Sequence, residues 1–147
     1  MVGDYPAPVI DGVLQAVAEA CHGIEGLQAA LVFGSVLERS DPGDLDLALL
    51  WEPSLPPERR WRLANRIAAD VEHRVRHLGL NVDMQDLRSL PLVLQHRVLR
   101  DGRVASVSDR RALVRFNAET VPRALDFLPF HRRALRAAAR RLADDRR

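Results

Sequence analysis

Apolar residues recur along this chain in two rhythms, and the changes of rhythm divide it into elements. Ile10, Val13, Leu14, Val17 and Cys21 fall three or four residues apart, which predicts a helix over 9–21. Asp11 stands near its start, where the helix dipole favours a negative charge, and Gly23 and Gly26 end it. Largely apolar runs at 27–33 and 44–51, the second opening with two carboxylates, read as two strands. Between them Gly34, Ser35, Asp41, Pro42 and Gly43 are turn-formers, so a hairpin-like antiparallel pair is expected. Pro53, Pro56 and Pro57 then interrupt the chain.

A long helix is expected from Pro57 or Glu58, with Trp61, Ala64, Ile67, Ala68, Val71, Val75 and Leu78 as its apolar stripe and Gly79 as its cap. Its other face carries Arg59, Arg60, Arg62, Arg66, Arg74 and Arg76 and reads as solvated. Residues 80–87 switch to period 2, with Val82 and Met84 on one face and Asp83 and Gln85 on the other. Reached through one helical crossover, this third strand is expected in the same sheet. Pro91 opens a short helix to about Arg100, and Asp101-Gly102 turns into a brief strand over Val104–Val107. Everything from 109 onward reads as helix, with Pro122 expected to kink or split it. The fold class is α+β: a core over 1–108 and a C-terminal helical extension of the same domain over 109–147.

Composition sharpens this picture in three ways. With 147 residues, 47% hydrophobic and 29% charged, the chain can bury a core of its own. No apolar run approaches the ~20 residues that span a bilayer, and the N-terminus lacks a basic segment followed by an apolar one. A cytoplasmic location without membrane contact is therefore expected. The single Cys21, on an apolar helical stripe, reads as a small core residue. All 22 basic residues are arginine, which excludes a lysine nucleophile or a P-loop lysine. Residues 1–109 hold 11 Arg against 16 Asp and Glu, whereas 110–147 hold 11 Arg against 4. An acidic body with a basic tail fits a protein that docks an acidic partner better than it fits a nucleic-acid binder, because the arginines of 132–147 lack interleaved aromatics.

The candidate chemistry lies where the first two strands meet. Asp44 and Asp46 alternate with Leu45 and Leu47, so both carboxylates project from one strand face. Two such groups on a half-buried strand repel each other and are relieved by a cation between them. Asp83, on a strand expected in the same sheet, is the candidate third member. Three hard-oxygen ligands suit magnesium, and a pair of ions ~3.5–4 Å apart would support an in-line phosphoryl or nucleotidyl transfer. Gly34 lets the backbone approach a triphosphate closely, and Ser35 can donate to its oxygens. Asp86, three residues beyond Asp83, falls on the opposite face and is set aside as a ligand. Asp41, in Asp-Pro-Gly, reads as a turn residue. His22, His73, His77, His96 and His131 share no ligand spacing, and Trp51 and Trp61 read as packing residues.

Val32-Phe33-Gly34-Ser35 with Asp44-Leu45-Asp46-Leu47 resembles the signature of polymerase-beta-type nucleotidyltransferases. The resemblance is greatest to the minimal nucleotidyltransferase (MNT) antitoxins of HEPN/MNT toxin–antitoxin pairs. It extends over Val82–Leu87, over Pro91–Val104 and over Leu125–Phe130. It implies a small mixed sheet flanked by helices, ATP as substrate, Mg2+ (two ions) as cofactor, and a HEPN ribonuclease toxin as partner in a hetero-oligomer. The implied reaction is transfer of AMP to a hydroxyl of the toxin, tyrosine being the expected acceptor. Gly34 and Ser35 would hold the triphosphate, Asp44 and Asp46 would bind both metals, and Asp83 would bind the catalytic metal and help deprotonate the acceptor. Many family members have a longer turn with an arginine soon after the serine. Here eight residues intervene, and Arg39 is the nearest arginine for a phosphate contact. Two other readings remain open: an antitoxin that neutralises by binding alone, and a nucleotidyltransferase acting on an aminoglycoside-type small molecule.

Overall fold

The computed structural model describes residues 7–38 and 43–145. Helix α1 (Ala7–Cys21) leads into strand β1 (Leu27–Phe33), a one-turn helix α2 (Ser35–Glu38) and strand β2 (Asp44–Trp51). Helix α3 (Pro57–Arg74) and a 3-10 turn (Arg76–Leu78) cross over to strand β3 (Asn81–Asp86), which a 3-10 turn (Leu87–Ser89) follows. Helix α4 (Leu92–Asp101), strand β4 (Arg103–Val107) and helix α5 (Arg110–Asp144) complete the chain. The strands form one mixed sheet in the order β3-β2-β1-β4. The expected antiparallel pairing of β1 with β2 is present, β4 adds antiparallel to β1, and β3 joins β2 in parallel after the α3 crossover. The α+β fold is thus the one expected.

Each face of the sheet has its own core, because alternate strand residues point opposite ways. Leu45, Leu47, Leu49 and Trp51 of β2 join Val13 and Val17 of α1 and Ile67 and Val71 of α3. Ala29, Leu31, Ala48 and Leu50 turn to the other side and meet Val98 of α4 and Phe116 of α5. Cys21 is buried in the first core as expected, and burial with the nearby Asp70 charge pushes its thiol pKa up to about 12. Gly79 closes the α3 segment in the left-handed conformation at φ 66°.

Four expectations change. Trp61 is 70% exposed rather than packed, because the stripe that α3 buries runs through Ala64, Ile67, Val71 and Val75. That stripe passes through Arg60 and leaves Trp61 well to one side, one residue being a 100° step. Arg60 is accordingly not on the solvated face; its Nη1 donates to Asp86 Oδ2 at 2.9 Å. The segment after Gly34 contains α2 rather than turn alone, anchored by the buried Val36. Finally, α5 runs unbroken through both Pro122 and Pro129. Thr120 and Ala124 are buried on either side of Pro122, so packing against the body holds the helix across the hydrogen bond that proline removes.

Candidate active site

The site forms where β1 ends, β2 begins and the cover of the sheet stops. Along β2 the residues facing α4 and α5 are Asp44, Asp46, Ala48 and Leu50. They pass from exposed through half-buried to fully buried. The two carboxylates thus stand at the end of the sheet that α4 and α5 leave open. Parallel pairing sets Asp46 directly opposite Asp83 and Asp44 opposite Asn81. Directly paired strand residues share a face, so the register brings Asp44, Asp46 and Asp83 to one side of the sheet.

Electrostatics records that proximity. The Asp46 carboxyl is held above its ordinary range, first by burial and then by the charges of Asp83 and Asp44. Gln85, two residues along the same face, donates from Nε2 to Asp83 Oδ2 at 3.3 Å. Its alternation with Asp83 was readable in the sequence, although the contact was not. Among the described residues no three His, Cys, Asp or Glu side chains close into a metal cage. Magnesium does not need a closed one: it binds through one or two carboxylates plus substrate phosphates and keeps several waters. The donor set, hard oxygens around a carboxylate that two neighbours repel, fits that ion.

Gly34 is fixed by the same geometry. It has φ 80°, and a Cβ built there would stand 2.3 Å from Asp46 Oδ2. Only glycine allows both the left-handed turn and the close approach of backbone to carboxylate. Phe33 pairs across the sheet with Asp46, so the turn is held beside the carboxylates. Ser35 follows at the start of α2, half-buried, and Leu37 N–H donates to Gly34 O at 3.1 Å. Gly34, Ser35, Asp44, Asp46 and Asp83 therefore lie at one end of the sheet. Arg39 and Asp41 fall outside the described residues.

Asp86 shows what a structural carboxylate looks like three residues away. It faces α3, pairs with Arg60 and accepts from Arg88 N–H at 3.2 Å. Setting it aside as a ligand agrees with this placement.

A mixed four-stranded sheet that presents a Gly-Ser turn against Asp-x-Asp defines a nucleotidyltransferase core. The family model for "Polymerase beta, Nucleotidyltransferase" matches residues 15–111, and the chain belongs to that family. No curated protein sequence matches it significantly. Among solved structures, one similar chain belongs to the complex of tri-AMPylated HEPN toxin with MNT antitoxin from Shewanella oneidensis. It shares 26% identity at a TM-score of 0.53, covering 90% of this chain and 93% of that one. A chain of a toxin–antitoxin crystal structure with AMP-PNP shares 26% identity at a TM-score of 0.56, covering 82% of this chain and 93% of that one. A chain of the MntA–HepT toxin–antitoxin structure shares 25% identity at a TM-score of 0.54, over 82% and 91%.

Proposed function

We propose that this protein is an antitoxin that transfers AMP from ATP to a hydroxyl, tyrosine being the expected one, of a HEPN-type toxin and so neutralises it. The observation that carries this reading is Asp46, crowded by Asp44 and Asp83 at the open end of the sheet with Gly34 packed against it. Support for the partner comes from the similarity to chains of HEPN toxin–MNT antitoxin complexes, one with an AMPylated toxin and one with AMP-PNP. Among the described residues no helix is long and apolar enough to cross a membrane, which accords with a cytoplasmic reaction.

Asp44, Asp46 and Asp83 are the residues that would hold magnesium. When bound, the metal would neutralise phosphate charge and stabilise the entering and leaving oxygens. Gly34 and Ser35 would cradle the triphosphate through backbone N–H and hydroxyl donors, and Arg39 is the candidate for a guanidinium contact. The acceptor oxygen attacks the α-phosphorus in line. A new phosphorus–oxygen bond forms, the α–β phosphoanhydride bond breaks, and pyrophosphate leaves with the electron pair. Asp83 accepts the proton released by the hydroxyl, and Gln85 orients that carboxylate.

The test is incubation of the full chain with α-labelled ATP, magnesium and the product of the neighbouring gene. Label on the partner, lost by at least about 1,000-fold in Asp44→Asn and Asp46→Asn, is the expected result. Tight binding and neutralisation without label would replace this reading by one of occlusion alone. Label on an aminoglycoside with none on protein would replace it by small-molecule transfer.

A further inference from the structure

The first half of α5 is part of the body. Ala112, Phe116, Thr120 and Ala124 are its buried residues, and Ala124 is the last buried residue in the described chain. From there to Asp144 the helix continues for about 30 Å at 1.5 Å per residue. Of the nine exposed large hydrophobic residues among those described, five lie on this stretch, Leu125, Phe127, Phe130, Leu135 and Leu142, so apolar exposure is concentrated there.

The apolar pattern is specific. Ala124, Leu128, His131, Leu135, Ala138 and Leu142 follow one another at spacings of four and three in strict alternation. That is the 3.5-residue period of a helix–helix seam, and it starts from the residue at which the body ends. Leu128 and His131 are half-buried, His131 stacking on Phe127 at 5.8 Å between ring centroids, while Leu135 and Leu142 are bare. Alanine at 138 keeps one position shallow, which lets a second helix approach closely rather than favouring insertion into lipid.

Charge selects the occupant. Between Phe127 and Ala143 there are five arginines and no carboxylate. Arg132 and Arg141 occupy the positions that border the seam on its two sides, following Leu128-His131 and preceding Leu142. In a pair formed by two copies of this chain the bordering positions, Leu125, Phe127, Arg132, Ala134, Ala139 and Arg141, would offer these arginines no carboxylate in either orientation. A partner helix bordered by Asp or Glu meets them favourably instead.

We propose that α5 from Phe127 to Leu142 is the docking helix for the toxin, received against a helix with an apolar seam and acidic borders. This rests on the reading of the protein as an antitoxin. The seam supplies the contact energy, the arginines supply orientation and favour an acidic partner over a second copy, and the open carboxylate end of the sheet stays free for the acceptor hydroxyl.

The experiment compares wild type, Leu135→Asp/Leu142→Asp and Arg132→Glu/Arg141→Glu as full chains, measuring affinity for the neighbouring-gene toxin and label transfer to it. All four positions are exposed, so melting temperatures near wild type are expected. The leucine variant should lose about 30-fold or more in affinity, with label transfer restored at saturating toxin. The arginine variant should lose about tenfold, less at 0.5 M salt. Full affinity in the leucine variant, with wild type binding and labelling, overturns the docking helix and leaves the proposed function standing. Binding by wild type that the leucine variant loses, with no label in either, keeps the docking helix and overturns the transferase. Absence of wild-type binding overturns both. A wild-type homodimer that the leucine variant dissociates, or binding to anionic vesicles or RNA that it abolishes, assigns the seam another occupant and overturns the proposal.

Discussion

Asp83 and Asp86 stand three residues apart on β3 and meet opposite fates. Asp86 points towards α3, where the Arg60 guanidinium neutralises it and Arg88 N–H caps it. Asp83 points the other way, beside Asp46, and no side-chain cation among the described residues pairs with it. The two faces of the same pair of strands thus treat negative charge differently. On the α3 face a carboxylate is compensated from within the chain and serves the fold. On the α4/α5 face three carboxylates crowd together, and among the described residues no arginine pairs with any of them. Proteins seldom gather like charges that the fold itself does not relieve, so an uncompensated cluster points to chemistry.

The largest effect that can break this contrast comes from Gly34→Ala. The added methyl would meet Asp46 Oδ2 at 2.3 Å, and φ 80° is strained for alanine. Label transfer to the toxin should fall by about 100-fold or more, since displacing a reacting group by ~1 Å costs that much. Stability should drop by only about 1–3 kcal/mol, because the clash is local. Transfer within about threefold of wild type in a labelling assay would show that Asp46 can swing aside without loss, removing Gly34 from the site.

A smaller effect is expected on the compensated face. The Arg60–Asp86 pair has side chains 22% and 26% exposed, and Arg60 Nε is buried without a partner. Asp86→Ala leaves that guanidinium uncompensated and should cost about 1–2 kcal/mol, a Tm lower by about 4 °C. Replacing both partners by apolar residues, Arg60→Met with Asp86→Leu, should recover most of the loss. Label transfer should be unchanged in both variants. If Asp86→Ala instead abolished transfer while its Tm held, the division between a structural and a chemical face would be wrong.

How much of this was legible beforehand follows from the same residues. The strands were readable because β1 and β2 are short apolar runs on either side of turn-formers, and because glycine marks where β1 ends. The common face of Asp44 and Asp46 needed only the alternation of a strand. That Asp83 would lie opposite Asp46 needed the register of a parallel pairing across 37 positions, which the pattern of one segment does not carry. Arg60 was misplaced because an arginine on a core-facing stripe looks like one on a solvated face until its partner, Asp86, is positioned 26 residues later. Pro122 misled because a proline is a local stop signal, whereas the buried Thr120 and Ala124 act through tertiary contact. Trp61 misled for a related reason: size and apolarity say that a residue can be buried, and the helix phase decides whether it is.

The smallest expected effect is the one that probes the crowding directly. Asp46 binds its proton more readily in the folded chain than in the unfolded one, because burial and two neighbouring carboxylates disfavour its charged form. Its contribution to stability is therefore greatest below the ordinary carboxylate range and declines as pH rises through the raised native value. Above that value the ionised group is a constant burden. Asp46→Asn removes the charge and keeps the shape, so in the presence of EDTA its Tm should exceed that of wild type at pH 7 by about 1–3 °C. The difference should shrink towards zero below about pH 3, where the wild-type carboxyl is protonated in both states. Magnesium with ATP should reverse the order at pH 7, raising the wild-type Tm but not that of the variant. A wild type that is the more stable of the two at pH 7 without metal would mean that the fold already compensates Asp46. The distinction between the two faces of β2 and β3 would then fall, and with it the reason to look outside the chain for a cation.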